Sequence, residues 1–342
     1  MSEEYQPRGL LRNAHVQSIL ASSGVRGFLS RKQRIVLERE AVEHVLDCGD
    51  GVRLQGFHSA QHVVDKPRAL AVLLHGWEGS AQSSYVLNTA NRLLADGCDV
   101  IRLNFRDHGQ THHLNRELFH SCRIDEVVGA VKQIAQRFPT RPLVIGGFSL
   151  GGNFALRVAL RAPAAGIPLS WAFAVCPVIS PHAGLQSIED APWFYEHYFM
   201  LKWRDSLRRK QKLFPQAELF TPQQLRGNMR ELTRDMVLRH TDFGTLENYL
   251  DGYSIAGDTL SKLQIPATIL TAADDPVIPI AEFRELKLAP STQLVITPHG
   301  SHCAFLLDWS LRSWTDDFIV EHLHRALAET SRDKGMQAAS AA

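Results

Sequence analysis

Leu143-Val144-Ile145-Gly146-Gly147-Phe148-Ser149-Leu150-Gly151-Gly152 runs from a short apolar strand pattern straight into a helical one. The join is Gly147-Phe148-Ser149-Leu150-Gly151, a G-x-S-x-G motif. A serine on a sharp strand-to-helix turn is lifted above the sheet, and the N-terminus of the following helix points at it. Such a turn holds the serine in strained backbone, and side chains at the flanking positions would collide with neighbouring backbone. The glycines answer that need. The blander reading is a glycine-rich turn with an incidental serine, but the strand pattern before it and the helix pattern over Leu150 to Leu160 favour a nucleophile.

The same rhythm extends in both directions. Upstream, Ala69-Leu70-Ala71-Val72-Leu73-Leu74 is a continuous apolar run, as in a strand buried on both faces. Tyr85 to Ala95 reads as a helix ending at Gly97, and Val100 to Phe105 as a strand. Asp125 to Phe138 reads as a helix with Val127, Val128, Val131, Ile134 and Ala135 on one face. Downstream, Trp171 to Val175 is a strand closed by Pro177. Strand and helix thus alternate four times, the signature of a parallel sheet covered by helices.

The alternation resumes at Ala267–Leu270 and Gln293–Ile296, and a terminal helix spans about Leu311 to Ala328. Ile35 to Phe57 is strand-like, with a turn at Cys48-Gly49-Asp50-Gly51, and predicts an antiparallel hairpin. Between Ser180 and Ser261 the rhythm stops, and that segment reads as a helical insertion over one end of the sheet. The expected organisation is an N-terminal arm (1–34), a core (35–180 and 261–330), a helical lid (181–260) and a flexible tail (331–342), whose small polar residues are expected to fray.

A serine hydroxyl needs a base to become a nucleophile. Asp274 and Asp275 follow one predicted strand, in Thr271-Ala272-Ala273-Asp274-Asp275-Pro276-Val277-Ile278-Pro279. His299 and His302 follow the next, in Pro298-His299-Gly300-Ser301-His302-Cys303-Ala304-Phe305. Each loop lies at the carboxyl edge of the sheet, where the serine also emerges. The side chains of adjacent Asp274 and Asp275 diverge, so only one can orient an imidazole; His299 and His302 compete in the same way. An oxyanion hole is expected from His75-Gly76-Trp77-Glu78-Gly79-Ser80, with the backbone N–H groups of Trp77 and Leu150 as donors. His75 reads as a structural anchor of that loop.

Taken together, these residues resemble the α/β-hydrolase superfamily over about residues 35–330. The order Ser…Asp…His is the one that superfamily uses. Its pattern places the acid just before Pro-x-x-Pro, which points to Asp275, and the histidine after a small pair with an apolar residue following, which points to His302. Asp274 is then a loop-capping residue and His299 a loop or supporting residue. Leu11-Arg12-Asn13-Ala14-His15-Val16-Gln17-Ser18 looks like the N-P-H-L-Q-T segment of one branch, departing at Ala14, Val16 and Ser18. That branch holds bacterial esterases, yeast ethanol acyltransferase/esterases and membrane-anchored mammalian relatives, whose N-terminal anchor is not expected here. Asn104-Phe105-Arg106-Asp107-His108-Gly109 resembles the R-G-H-G loop of many such enzymes, with Asp107 in place of glycine. The resemblance implies an α/β-hydrolase fold with a mostly parallel eight-stranded sheet. It also implies a serine esterase acting through an acyl-serine, with Ser149, Asp275 and His302 catalytic and no metal or organic cofactor. Water is the default acceptor. The alternatives are acyl transfer to an alcohol and a non-catalytic binding protein of the same fold.

Composition limits the partners. The 342 residues carry 37 Lys+Arg against 36 Asp+Glu, so no global field for nucleic acid exists, and the expected partner is a small-molecule ester. Five scattered cysteines with no C-x-x-C pair argue against a disulfide framework or a cysteine-rich zinc site and fit a reducing cytoplasm. The N-terminus opens with two glutamates and is broken by Pro7, Arg8, Arg12 and His15, so no signal peptide is expected, and no apolar run is long enough to span a bilayer. His108, His112, His113 and His120 invite a metal reading, but no helix aligns them, and a polar loop at the site's rim is preferred. Lys202, Arg204, Arg208, Arg209, Lys210 and Lys212 read as a solvated helix face, with contact to anionic lipid or an acidic substrate the lesser reading. The aromatic run from Trp193 to Trp203 puts Phe194, Tyr198 and Leu201 on one helical face, expected to line the site and favour short-to-medium acyl esters over peptides.

Overall fold

The continuous apolar segments form the centre of one eight-stranded sheet in the computed structural model, which describes residues 5–22, 31–139 and 141–340. The strands are β1 (Val42–Asp47), β2 (Arg53–Ser59), β3 (Leu70–Leu74), β4 (Asp99–Asn104), β5 (Leu143–Phe148), β6 (Leu169–Val175), β7 (Ala267–Ala272) and β8 (Thr292–Thr297). Their order is β1-β2-β4-β3-β5-β6-β7-β8. Only the β1–β2 and β2–β4 pairs are antiparallel. Every residue of β3, β4, β5 and β7 is buried, whereas the edge strands β1 and β8 mix exposed and buried positions. That contrast is why the central strands read as unbroken apolar runs.

The helices are α1 (Ala14–Ser22), α2 (Arg31–Glu40), α3 (Ser84–Ala95), α4 (Ile124–Arg137), α5 (Leu150–Ala165), α6 (Pro181–Asp190), α7 (Phe194–Leu213), α8 (Met229–His240), α9 (Leu246–Asp251), α10 (Ile280–Arg284) and α11 (Trp314–Ser340). One core layer packs α4 and α5 on one face of the sheet, through Ile124, Val131, Ile134, Phe154 and Val158. The other packs α3 and α11 on the opposite face, through Val86, Leu93, Phe318 and Leu323. Helices α6 to α9 lie between β6 and β7 in the chain and share a separate apolar cluster that includes Met200, Trp203, Leu232, Met236 and Tyr249.

Three expectations are corrected. Ile35 to Glu40 is not the start of a hairpin strand but the end of α2, because Arg31-Lys32-Gln33-Arg34 and Glu38-Arg39-Glu40 are long helix formers flanking the apolar triplet. Pairing begins at Val42. The terminal helix starts at Trp314 rather than Leu311, since Leu311 has φ 59° and cannot continue into an α-helix. It also runs on to Ser340 through most of the segment expected to fray; residues 341 and 342, like 1–4 and 23–30 of the arm, lie outside the described residues.

The basic run is also not uniformly solvated. Lys210 is fully buried, and its ammonium donates to Asp107 Oδ1 at 2.6 Å and to the carbonyls of His112 and Asn115. Asp107, with φ 59°, stands where the resembling loop has glycine. The side chain that replaces glycine therefore anchors α7 to the loop after β4.

Candidate active site

Ser149 sits between β5 and α5 with φ 54° and ψ −121°, a strained conformation for a residue with a side chain. A Cβ on Gly147 would stand 2.5 Å from the backbone of Gly151, and one on Gly151 would stand 2.4 Å from the carbonyl of His75. Both glycines are thus forced by close packing of the turn against the end of β3.

Asp275 follows β7 and His302 follows β8, and because β5 to β8 run parallel both loops emerge at the same sheet edge as the β5 turn. His302 Nδ1 lies 2.9 Å from Asp275 Oδ2, and His302 Nε2 lies 2.9 Å from Ser149 Oγ. An ionised carboxylate only accepts, so Nδ1–H donates to Asp275, and in the neutral ring Nε2 accepts from the serine hydroxyl. Asp275 Oδ1 takes the backbone N–H groups of Val277 and Ile278 at 2.8 and 3.0 Å, which fixes its orientation. Burial works against a charged imidazole, but the Asp275 carboxylate, Cys303 and the Asp275 hydrogen bond outweigh it and raise the pKa of His302 to about 9.

The near-duplicates pair with each other. His299 Nδ1 lies 3.3 Å from Asp274 Oδ2, and Asp274 Oδ1 accepts from the Ser301 backbone N–H at 2.8 Å. This second pair bolts the histidine loop to the β7 loop one residue away from the first.

The loop carrying Trp77 is pinned by two buried histidines. His75 Nδ1 donates to Gly76 O at 2.7 Å while its Nε2 accepts from Phe105 N–H. His108 Nδ1 donates to Arg106 O at 2.7 Å while its Nε2 accepts from Glu78 N–H. Each therefore works as a neutral ring, and burial holds both below the ordinary histidine range, His108 at about 4. The Gly76 N–H is taken by the Tyr85 hydroxyl. Among the described residues, the N–H groups of Trp77 and Leu150 have no protein acceptor.

The sequence pattern of the alpha/beta hydrolase fold family matches residues 71–308, well over half of the chain. The chain belongs to the α/β-hydrolase fold family. It is 24% identical over 314 residues to the candidate esterase YheT of Escherichia coli, covering 89% of this chain and 88% of that one. It is 22% identical over 344 residues to Phospholipase ABHD3 of Mus musculus, covering 96% and 80%. Among solved structures it is similar to the esterase Pf2001 of Pyrococcus furiosus, with a TM-score of 0.53 at 17% identity over 85% of this chain and 92% of that chain.

In this member of the family, Ser149 and Leu150 line a pocket whose wall includes residues of the insertion. Trp77, Phe199, Trp203, Met236, Tyr249, Tyr253 and Ile278 dominate its wall, with Ser121, His120 and Thr233 as polar exceptions. The three residues expected to line it do not. Phe194 packs on the sheet core and on His15, Tyr198 lies under Lys202, and Leu201 is 54% exposed. The pocket face of α7 is instead Phe199 and Trp203, which pack on the Trp77 ring. The aromatic run is the right signal, but the pocket face lies nearly half a turn round the helix from the expected one, because aromatic residues occupy several faces of that helix.

Metal ligation has one candidate among the described residues. Cys176, His302 and Cys303 offer ligand atoms within 4.8 Å of one another. Both imidazole nitrogens are engaged by Ser149 and Asp275, and the two thiols donate to Ser301 O and Val175 O, so an ion there would unmake the hydrogen-bond chain. His108 and His112 hold backbone or serine partners, and His120 packs between Phe243 and Tyr249. No helix among the described residues is long and apolar enough to cross a membrane.

Proposed function

We propose that this chain is a serine esterase. The observation that carries the reading is the unbroken chain Ser149 Oγ to His302 to Asp275 at the mouth of an apolar pocket. In this mechanism His302 Nε2 takes the proton as Ser149 Oγ attacks the ester carbonyl. The oxyanion is held by the N–H groups of Trp77 and Leu150, the second lying at the N-terminus of α5. His302 then gives its proton to the departing alkoxide, leaving an acyl-serine. Water, activated by the same imidazole, releases the acid. Asp275 keeps the ring in the tautomer that accepts at Nε2 and stabilises its cation.

The substrate class follows from the pocket. Each buried CH₂ contributes about 0.8 kcal/mol, and the aromatic and methionine wall suits a short-to-medium acyl chain. Residues 181–260 then act as a lid over the nucleophile. Relatives named for esterase and phospholipase activity support an ester rather than an amide. Five free cysteines support a reducing cytoplasm as its place of work.

The test is fluorophosphonate labelling with mass mapping, followed by p-nitrophenyl esters from acetate to palmitate beside a peptide amide. The expected adduct is on Ser149, with kcat/KM rising from acetate and falling before palmitate. Flat chain-length dependence or rival amide cleavage would count against the pocket argument, and an unlabelled folded protein against the nucleophile.

A further inference from the structure

Residues 13–18, the segment that departs from N-P-H-L-Q-T, touch none of the reacting groups, yet Gln17 and Ser18 are buried. Asn13 opens α1, its side chain accepting the backbone N–H groups of His15 and Val16 at 3.0 and 3.1 Å. The helix so aimed delivers Gln17 and Ser18 to the back of the loop that carries His302. Gln17 Oε1 accepts the Leu306 N–H at 2.9 Å, and its amide donates to Leu11 O. The Tyr5 hydroxyl spans Gln17 Oε1 at 3.1 Å and Leu306 O at 2.9 Å, while its ring packs edge-on to Phe305. Ser18 Oγ meets Ser301 Oγ, the residue just before His302.

That loop needs holding. Gly300, Ser301, Cys303 and Phe305 all have positive φ, at 147°, 54°, 60° and 44°. Left-handed backbone at three side-chain-bearing residues persists only where the surroundings over-determine it. The arm supplies part of that restraint from one side and Asp274 supplies it from the other. The same arm reaches the insertion: the Tyr195 hydroxyl, at the start of α7, shares a hydrogen bond of 3.0 Å with His15 Nδ1, and the His15 ring stands edge-on to Phe194.

We propose that residues 13–18 are a strut that positions His302 over Ser149 and ties its loop to α7, with Gln17 and Ser18 as positioning residues. The proposal rests on the triad reading above. A strut makes a prediction that simple stabilisation does not. If the imidazole drifts from its partners, the proton transfers suffer in kcat while pocket binding, and so KM, is little changed. A misplacement of about 1 Å costs up to about 100-fold in rate. Drift also weakens the hold of Asp275 on the ring; Cys303, Cys176 and Ser149 are its other near neighbours.

The experiment compares wild type, Gln17→Leu, Gln17→Glu, Ser18→Ala and Ser18→Thr for kcat, KM, pH midpoint, fluorophosphonate labelling rate and thermal unfolding. Gln17→Leu is expected to lower kcat and labelling about 10–100-fold with KM nearly unchanged, and to move the pH midpoint down toward the ordinary histidine value. Gln17→Glu, which keeps the acceptor for Leu306 N–H, should recover part of the rate. Ser18→Ala should act in the same direction and Ser18→Thr restore it. Should Gln17→Leu fail to fold, the Ser18 pair decides. Folded variants with lowered unfolding temperature but wild-type kcat, labelling and pH midpoint would overturn the strut alone. A wild type that takes no label at Ser149 would overturn the triad reading and the strut together.

Discussion

Lys210→Met tests the buried link between α7 and the loop after β4. Methionine keeps most of the stem's bulk and removes the ammonium. In the native protein that ammonium faces Asp107 and two carbonyls, with both charged side chains almost wholly excluded from water. Burial pushes the Lys210 ammonium down from its ordinary pKa and the Asp107 carboxyl up, so each charge is held at a desolvation cost. Removing one partner strands the other. The Asp107 carboxylate then keeps the Phe119 N–H, at 2.9 Å, and the charge of the neighbouring Arg106. Breaking such a pair from one side costs about 3–5 kcal/mol, a large share of the ~5–15 kcal/mol that holds a typical domain together.

Asp107→Gly in the same background removes the stranded charge and relieves the φ of 59°. It leaves two carbonyls and one N–H without their partners; each that water does not reach costs about 1–3 kcal/mol, and the double variant should lose less stability than the two single variants summed. Urea unfolding of the two single variants and the double, followed by tryptophan fluorescence and far-UV circular dichroism, gives the coupling energy. A Lys210→Met cost under about 1 kcal/mol, or a double variant as unstable as the sum of the singles, would refute the reasoning.

Ser149→Ala should abolish fluorophosphonate labelling and lower ester turnover by about 10³-fold or more, measured on protein of unchanged circular dichroism. His302→Ala and Asp275→Asn should each do far more harm to kcat than His299→Ala and Asp274→Asn; reversed behaviour within either pair would show that the spare pair carries the chemistry. Because activity needs a neutral His302 and its pKa is raised to about 9, kcat/KM should climb with pH through neutrality and level off only on the alkaline side. The sign for stability is opposite: the bound cation stabilises the fold below the unfolded histidine's ordinary pKa, and that contribution is lost as pH rises through about 9, which melting temperatures against pH would register. Phe199→Ala should flatten the chain-length dependence of kcat/KM, about fourfold per methylene where the chain is buried, whereas Leu201→Ala, at an exposed position, should leave it unchanged.

The order of elements was legible in the chain because the central strands are apolar on both faces and the helices between them are amphipathic. Those are local patterns, and they place Ser149 on its turn and bring the Asp274/Asp275 and His299/His302 loops to one edge of the sheet. Family resemblance, rather than spacing, singled out Asp275 and His302. Geometry then showed why two acids and two histidines stand so close: they form two pairs side by side, one on Ser149 and one clamping the loop. Other features depended on contacts that no local pattern encodes. The phase of α7 was set by Trp77 and the insertion's own core, so Phe199 and Trp203 face the pocket while Leu201 faces water. Lys210 looked like one of six cations on a solvated helix, and only the approach of Asp107, 103 residues away in the chain, made it a buried anchor. Gln17 and Ser18 lie 289 and 283 residues from Leu306 and Ser301, and their burial against the histidine loop exists only once both ends of the chain have folded onto the same edge of the sheet. Hydrophobic periodicity reports which face of an element is covered; which polar group meets which across hundreds of residues is decided by the tertiary packing that brings them within hydrogen-bonding reach.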